Sequence, residues 1–270
     1  MPSVVLIMEF RGKRLDCGVY SASSEEQLVR LGAPYEGDVA ASVASVVEQV
    51  VGMKGTVVID AAVSLPSERV SQRVLNLPFD DKRKLDEVAA FEAGESFLSE
   101  AHSIVLQATP LTDGKALVAA VDKEYLKSVL ADIKGSGLDP TWVGLSLFSR
   151  HMLLPVGRNP DVTAAVVDEH SIAVVKGSMP RFFKELKDAG DVAMAMLAAS
   201  AEGFVPEEVY AEKGAGAIAE KICPDVRYLD AIAEGCSGIE AMAIHYFRGI
   251  DGAINFRAGE FAHTAGAKRG

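Results

Sequence analysis

Apolar positions change their spacing several times along this chain, and each change marks an element. Ser3–Phe10 and Leu15–Ser21 are runs rich in valine and leucine, joined by the polar turn Arg11-Gly12-Lys13-Arg14; the pattern predicts two paired strands. A third strand is expected near Leu28–Leu31. From Asp38 the interval lengthens: Val39, Val43, Val46 and Val50 recur at helical spacing behind an aspartate suited to cap a helix, with Gly52 near the end. Thr56–Leu65 is a strand again, too uniformly apolar for an exposed edge.

The pattern then breaks. Pro66 and Pro78 bracket the strand-like VSQRVLN, and Asp80–Leu98 reads as an amphipathic helix with Leu85, Val88, Phe91 and Leu98 near one face. Ser103–Leu111 and Lys115–Asp122 form a hairpin about Thr112-Asp113-Gly114. A helix over Lys123–Lys134, a strand over Thr141–Leu145 and a short helix through Met152 complete the first half. Val156-Gly157-Arg158-Asn159-Pro160-Asp161 is polar and carries glycine and proline, which makes it the internal boundary.

Three strands follow, Thr163–Val167, Ile172–Val175 and Pro180–Leu186, then a helix over Asp191–Phe204. A strand at Glu208–Glu212, a helix at Ala215–Ile222, a strand at Val226–Asp230 and a helix at Ile239–Phe247 end the series. The second half is thus β-β-β-α-β-α-β-α, and the first half matches it once residues 66–122 are set aside as an insertion. Two such units describe an α/β, two-lobed actin-like fold of the actin/hexokinase/Hsp70 ATPase type, RNase H-like in each half. The expected division is 1–155 for the first lobe, 156–253 for the second, and 254–270 for a C-terminal motif and linker.

Composition narrows the function classes. At 49% apolar and 24% charged the chain can bury a sizeable core, which excludes a disordered protein. Lys and Arg number 27 against 38 Asp and Glu, and the net charge of −11 excludes a general nucleic-acid surface. Cys17, Cys223 and Cys236 form no CxxC pair and read as free thiols of a reducing compartment; the scattered histidines leave no zinc set. No run of about 18 apolar residues occurs and the start has no basic segment before its apolar run, so a cytoplasmic chain is expected.

In an active two-lobed ATPase of this type the first turn of each lobe holds phosphate. Small residues let backbone N–H groups approach it, and a carboxylate ending the first strand holds Mg²⁺. Here the first turn offers Glu9 and Gly12, with Phe10 and Arg11 where small residues are wanted; the second offers Asp168 and Ser171, with no glycine and an added Glu169. Gly214 and Gly216, where a strand runs into a helix, are the third place a nucleotide could approach the backbone. These six residues are vestigial nucleotide-pocket candidates, with ATP and Mg the alternative to no cofactor. No Gly-x-Ser-x-Gly, HExxH or Walker A lysine occurs, and no catalytic residue is assigned. Glu92 and Glu95 read as a solvated helix face, Trp142 as core, and the histidines as isolated.

Two stretches carry a family resemblance. Leu65, Pro66, Arg73, Leu77, Pro78, Glu92 and Leu98 match a block of the type II secretion inner-membrane protein L family (GspL/EpsL), which the type IV pilus protein PilM shares in similar form. Ile254 to Ala262, with Asn255, Phe256, Gly259 and Phe261, is similar to the "NLLxGxf" segment that follows the cytoplasmic domain in protein L. In the pilus system the comparable motif begins PilN, a separate chain, and docks on PilM. The resemblance implies a non-enzymatic, actin-like scaffold at the cytoplasmic face of the bacterial inner membrane. Its implied partners are the hexameric secretion ATPase (protein E), the platform protein M and a second copy as homodimer. It further implies that His263 to Gly270 leads to a transmembrane helix absent from this chain. The alternative it leaves is a PilM-like, ATP-binding pilus assembly protein; PilM-like proteins generally keep an Asp-x-Gly turn, which this chain lacks in both lobes. A sugar kinase or exopolyphosphatase of the same fold is a third class, without an identifiable catalytic carboxylate.

Overall fold

The computed structural model describes residues 3–263 apart from positions 54, 80, 97–102, 112–113, 156–158, 160, 169–170, 178, 187–189, 213, 230–236 and 250–253. In the first lobe β1 (Ser3–Arg11), β2 (Arg14–Ser21) and β3 (Gln27–Pro34) form an antiparallel meander, and β4 (Val57–Ser64) and β8 (Trp142–Gly144) add in parallel. The strand order is β3-β2-β1-β4-β8. In the second lobe β9 (Thr163–Val167), β10 (Ser171–Lys176), β11 (Met179–Glu185), β12 (Glu208–Ala211) and β13 (Val226–Tyr228) repeat that order as β11-β10-β9-β12-β13. The same topology occurs twice, one copy per half-chain.

β1 is apolar from Val4 to Met8 because both its faces are covered. Val4, Leu6, Met8 and Phe10 pack under α1 (Val39–Val51) and α3 (Lys123–Gly135), while Val5 and Ile7 pack under α6 (Ser237–Arg248). Asp38 caps α1 as its side chain accepts from the Ala41 N–H at 2.9 Å. In the second lobe α4 (Asp191–Ala201) and the single turn α5 (Gly216–Ala219) cover Ala165, Val167, Ile172 and Val174. The opposite face, with Ala164, Val166 and Val175, meets Leu153 and Leu154 at the end of the 3₁₀ helix Ser146–Leu153. The two halves therefore exchange cover: α6 from the second half closes the first sheet, and the 3₁₀ helix from the first half closes the second.

The insertion is a three-stranded sheet of order β5-β7-β6, from β5 (Val70–Asn76), β6 (Ile104–Pro110) and β7 (Lys115–Asp122), with α2 (Lys82–Ser96) on one side. β7 alternates cleanly. Ala116 and Val118 face α2 with Leu85 and Ala89, whereas Leu117, Ala119 and Val121 join the first-lobe core.

Three expectations need correction. Phe91 is 85% exposed, because six residues beyond Leu85 turn a helix by about 600°, well off the face that Leu85 and Ala89 bury. The helix from Asp191 stops at Ala201, since Gly203 adopts φ +84° and Phe204 N–H closes back on the Ala199 carbonyl at 2.8 Å. The helix expected over Ala215–Ile222 is one turn. Leu98, Cys236, Thr112, Asp113, Glu169, His102 and His170 lie outside the described residues; Cys17 and Cys223 are free thiols. Among the described residues no helix is long and apolar enough to cross a membrane.

Candidate functional site

Three strands bring a carboxylate to one level of the cleft between the lobes, β1 from among its last residues and β9 and β12 from the position just after each strand. On β1 the series facing α6 runs Val5, Ile7 and then Glu9. β9 runs into Asp168. β12 runs into Glu212, whose N–H still donates to the Val167 carbonyl (3.0 Å) and so stands it beside Asp168. All three carboxylates are buried, a placement that is costly without an opposite charge.

Arg150, only 4% exposed on the 3₁₀ helix, supplies that charge. Its guanidinium lies 3.3 Å from Glu9 Oε1 and 3.2 Å from Asp168 Oδ2, and it pairs with Glu212 Oε1 as well. The planar fork of an arginine suits such multiple pairing in a way a lysine ammonium does not. Arg11 approaches the second Glu212 oxygen at 3.8 Å. Ser146 Oγ donates to Glu9, and Ser171 Oγ donates to Asp168 at 2.5 Å. The Glu9 carboxylate also abuts Gly238 in the first turn of α6, where any Cβ would collide with it.

Burial works against the Arg150 charge, but Asp168, Glu9 and Glu212 more than offset it and hold its pKa above the ordinary arginine value. Burial pushes the Glu212 carboxyl up to about 7, with Asp168 and Glu9 adding to the rise against the pull of Arg150 and Arg11.

Beside this cluster opens a cavity of about 370 Å³ whose lining includes Glu9, Gly12, Glu68, Arg150, Asp168 and Ser171. Four of the six vestigial candidates thus meet in one place. Gly12 has φ +55° in the tight β1–β2 turn, a conformation that glycine takes freely. Gly214 and Gly216 do not line the cavity: Gly214 is exposed, and the space beside buried Gly216 is taken by the Tyr228 hydroxyl. Asp168 N–H donates to the Ser171 carbonyl (3.0 Å), so that amide is spent on closing its own turn. Arg150 occupies the point on which the three carboxylates converge. Among the described residues no group of three or more His, Cys, Asp or Glu side chains is arranged to hold a metal.

Sequence reasoning missed Arg150 and Glu212. The available signals were a lone cation within the apolar run Leu145-Ser146-Leu147-Phe148-Ser149-Arg150, and a second strand ending on a carboxylate. It also treated the histidines as isolated. His151 and His245 stack edge to face with ring centroids 6.4 Å apart, and Ser149 Oγ lies 2.8 Å from His245 Nδ1, which fastens the 3₁₀ helix to α6. Burial, reinforced by His245, pushes His151 down to about 4. A histidine lowered from 6.5 in the unfolded chain contributes stability at neutral pH that is lost as pH falls from 6.5 towards 4, about 3 kcal/mol over the full span. Urea unfolding of the wild type and of His151→Gln between neutral pH and about pH 4.5 checks this: the wild type is expected to lose more stability on acidification, and parallel pH profiles would refute the assignment.

The C-terminal motif lies along β8, the outer strand of the first sheet. Phe256 N–H donates to the Val143 carbonyl at 2.7 Å. Asn255 Oδ1 accepts from the Val143 and Arg257 N–H groups (3.0 Å each), while its Nδ2 donates to the Thr141 carbonyl at 3.1 Å. Ile254 and Phe256 are buried in the first-lobe core and Phe261 packs against it. Gly259 takes φ +55° in the single 3₁₀ turn Gly259–Phe261. Arg257 and His263 both reach Asp139, at 2.8 and 3.3 Å.

No protein-family model matches the sequence, and no curated protein matches it. Solved structures do match in shape. The cytoplasmic domain of EpsL, an inner-membrane component of the type II secretion system of Vibrio cholerae, superposes with a TM-score of 0.61 at 13% identity, covering 97% of this chain and 100% of that one. A PilM–PilN type IV pilus biogenesis complex gives a TM-score of 0.70 at 16% identity, covering 92% and 98%. A Bacteroides thetaiotaomicron protein with an actin-like ATPase fold and unknown function gives 0.53 at 11% identity, covering 89% and 95%. The duplicated sheet order, the exchanged helices and these superpositions agree: the chain has the two-lobed actin-like fold, in the form seen in the EpsL cytoplasmic domain and in PilM.

Proposed function

We propose that this chain is a non-enzymatic scaffold on the cytoplasmic side of a bacterial type II secretion inner-membrane platform, where it recruits the secretion ATPase. Arg150 carries the reading. An actin-like ATPase needs its strand-borne carboxylates for a metal–nucleotide complex; here a built-in guanidinium is already paired with Glu9, Asp168 and Glu212, and the lobes are joined by these ion pairs. Likeness to the EpsL domain and the motif of Asn255, Phe256, Gly259 and Phe261 support the secretion setting. Platform protein M, a second copy of this chain and a membrane-spanning segment belong to the same reading.

Calorimetric titration with Mg·ATP is the test. No binding heat is expected at up to about 1 mM nucleotide. Micromolar binding with slow hydrolysis would overturn the scaffold reading in favour of a PilM-like, ATP-binding pilus assembly protein. That second reading is favoured by the superposition on the PilM–PilN complex. For the partner, gel filtration with the N-terminal domain of the secretion ATPase from the same organism is expected to give a stable complex. Separate elution at tens of micromolar, an ordinary range for transient partners, would remove the recruiting role.

A further inference from the structure

The lobes touch at two levels of different chemistry. At the floor of the cleft the contacts are apolar. Phe148 on the 3₁₀ helix meets Phe183 of β11 edge to face, with ring centroids 5.6 Å apart, and Leu153 and Leu154 pack on Ala164 and Val166. Contacts at a pivot leave the angle about it free, since a hinge needs only a few residues at element ends to absorb the motion. Lobes of one chain ordinarily move against each other unless their interface is large and apolar.

Above the floor the contact is ionic and buried. Glu9 comes from the first sheet, Asp168 and Glu212 from the second. Glu9 Oε1 and Asp168 Oδ2, one from each lobe, sit on the same Arg150 nitrogen, Nη2, at 3.3 and 3.2 Å, and Glu212 takes Nη1. Arg150 cannot follow both lobes. A wider cleft leaves either Glu9 pressed under Gly238 of α6 without its cation, or Asp168 and Glu212 side by side as like charges. A further pair, Lys115 of β7 with Glu202 beyond α4, joins the insertion to the second lobe. The Glu202 side chain is 45% exposed, and a pair so open to water contributes little, so the buried set decides the angle.

We infer that Arg150 is a built-in bolt that holds the two lobes in one closed arrangement without the help of a ligand. A partner that touches both lobes then meets a surface of fixed shape. The inference concerns the angle between the lobes, and it holds whether the chain serves secretion or pilus assembly.

Spin labels at Ala44→Cys on α1 and Ser200→Cys on α4, both exposed, report the separation of the lobes by double electron–electron resonance. The full chain is used, with Cys223→Ser and Cys236→Ser; Cys17 is fully buried and stays. The labelled protein is expected to give one narrow distance with an open population below about 10%, unchanged by Mg·ATP at about 1 mM. Glu9→Met keeps the volume and removes the first-lobe end of the bolt, so a longer-distance population above that level should appear. The variant that combines Arg150→Met with Glu9→Gln, Asp168→Asn and Glu212→Gln strands no charge, and should open in the same way if Glu9→Met does not fold. A broad distribution before any substitution would overturn the inference, as would a shorter distance on adding Mg·ATP. So would a folded variant of either kind that keeps the original distance, because the floor contacts alone would then hold the lobes. Mg·ATP binding by calorimetry with an unchanged label distance would overturn the scaffold reading and support the bolt.

Discussion

Arg150→Met is expected to be the most damaging single substitution in the cleft, costing about 3–5 kcal/mol at neutral pH. Methionine keeps most of the side-chain volume, so the loss is electrostatic: Glu9, Asp168 and Glu212 stay buried without their shared cation. The sign of the pH dependence separates this cause from packing. Without the guanidinium the carboxylates hold protons more tightly in the fold than in the unfolded chain. The variant therefore loses stability as pH rises from about 4.5 upward, and its deficit is larger near pH 8 than near pH 5. Denaturant unfolding at those two values reads the difference, and an equal deficit at both would contradict the charge argument. If the single variant does not fold, neutralising its surroundings as well (Glu9→Gln, Asp168→Asn, Glu212→Gln) is expected to restore folding, because an apolar replacement is tolerable once no charge is stranded.

Phe256→Ala should cost about 3–5 kcal/mol by cavity formation, since Phe256 is 0% exposed and ranks among the largest fully buried side chains of the protein. Asn255→Ala acts on the same segment by another route. It leaves the Val143 N–H and the Thr141 carbonyl without their side-chain partner, a loss of about 1–3 kcal/mol. The two residues are neighbours on one strand-like segment, so the double variant should cost less than the sum. Thermal unfolding of the three variants decides it. A Phe256→Ala protein as stable as the wild type would mean that the C-terminal segment is not part of the core.

The fold was legible because period and turn chemistry agree at nearly every element: valines at helical spacing behind Asp38, a glycine turn signal between Ser103–Leu111 and Lys115–Asp122, and a strand triplet opening each half. Boundaries failed where glycine geometry decides, as at Gly203, or where a face was assigned without counting the angle, as at Phe91. The site was legible only on its acidic side. Glu9 lies in the last residues of its strand and Asp168 directly after its own, and a strand fixes where such a side chain points. Arg150 belongs to a 3₁₀ helix with no strong periodicity of its own, and its meaning depends on contacts across 141 positions to Glu9 and 62 to Glu212. The pairing of His151 with His245 was hidden for the same reason. Local pattern carries no information about which distant element will lie opposite.

The burial of Ile254 and Phe256 among Val4, Leu6 and Met8 also bears on synthesis. A ribosome makes the first strand some 250 positions before the residues that seal its sheet. At about 5–20 residues per second, β1 and β4 wait tens of seconds or less with one apolar face lacking α6 and one sheet border lacking Asn255 and Phe256. The first half therefore does not complete its own core at the exit tunnel, and a ribosome stalled near position 230 would present that core unfinished.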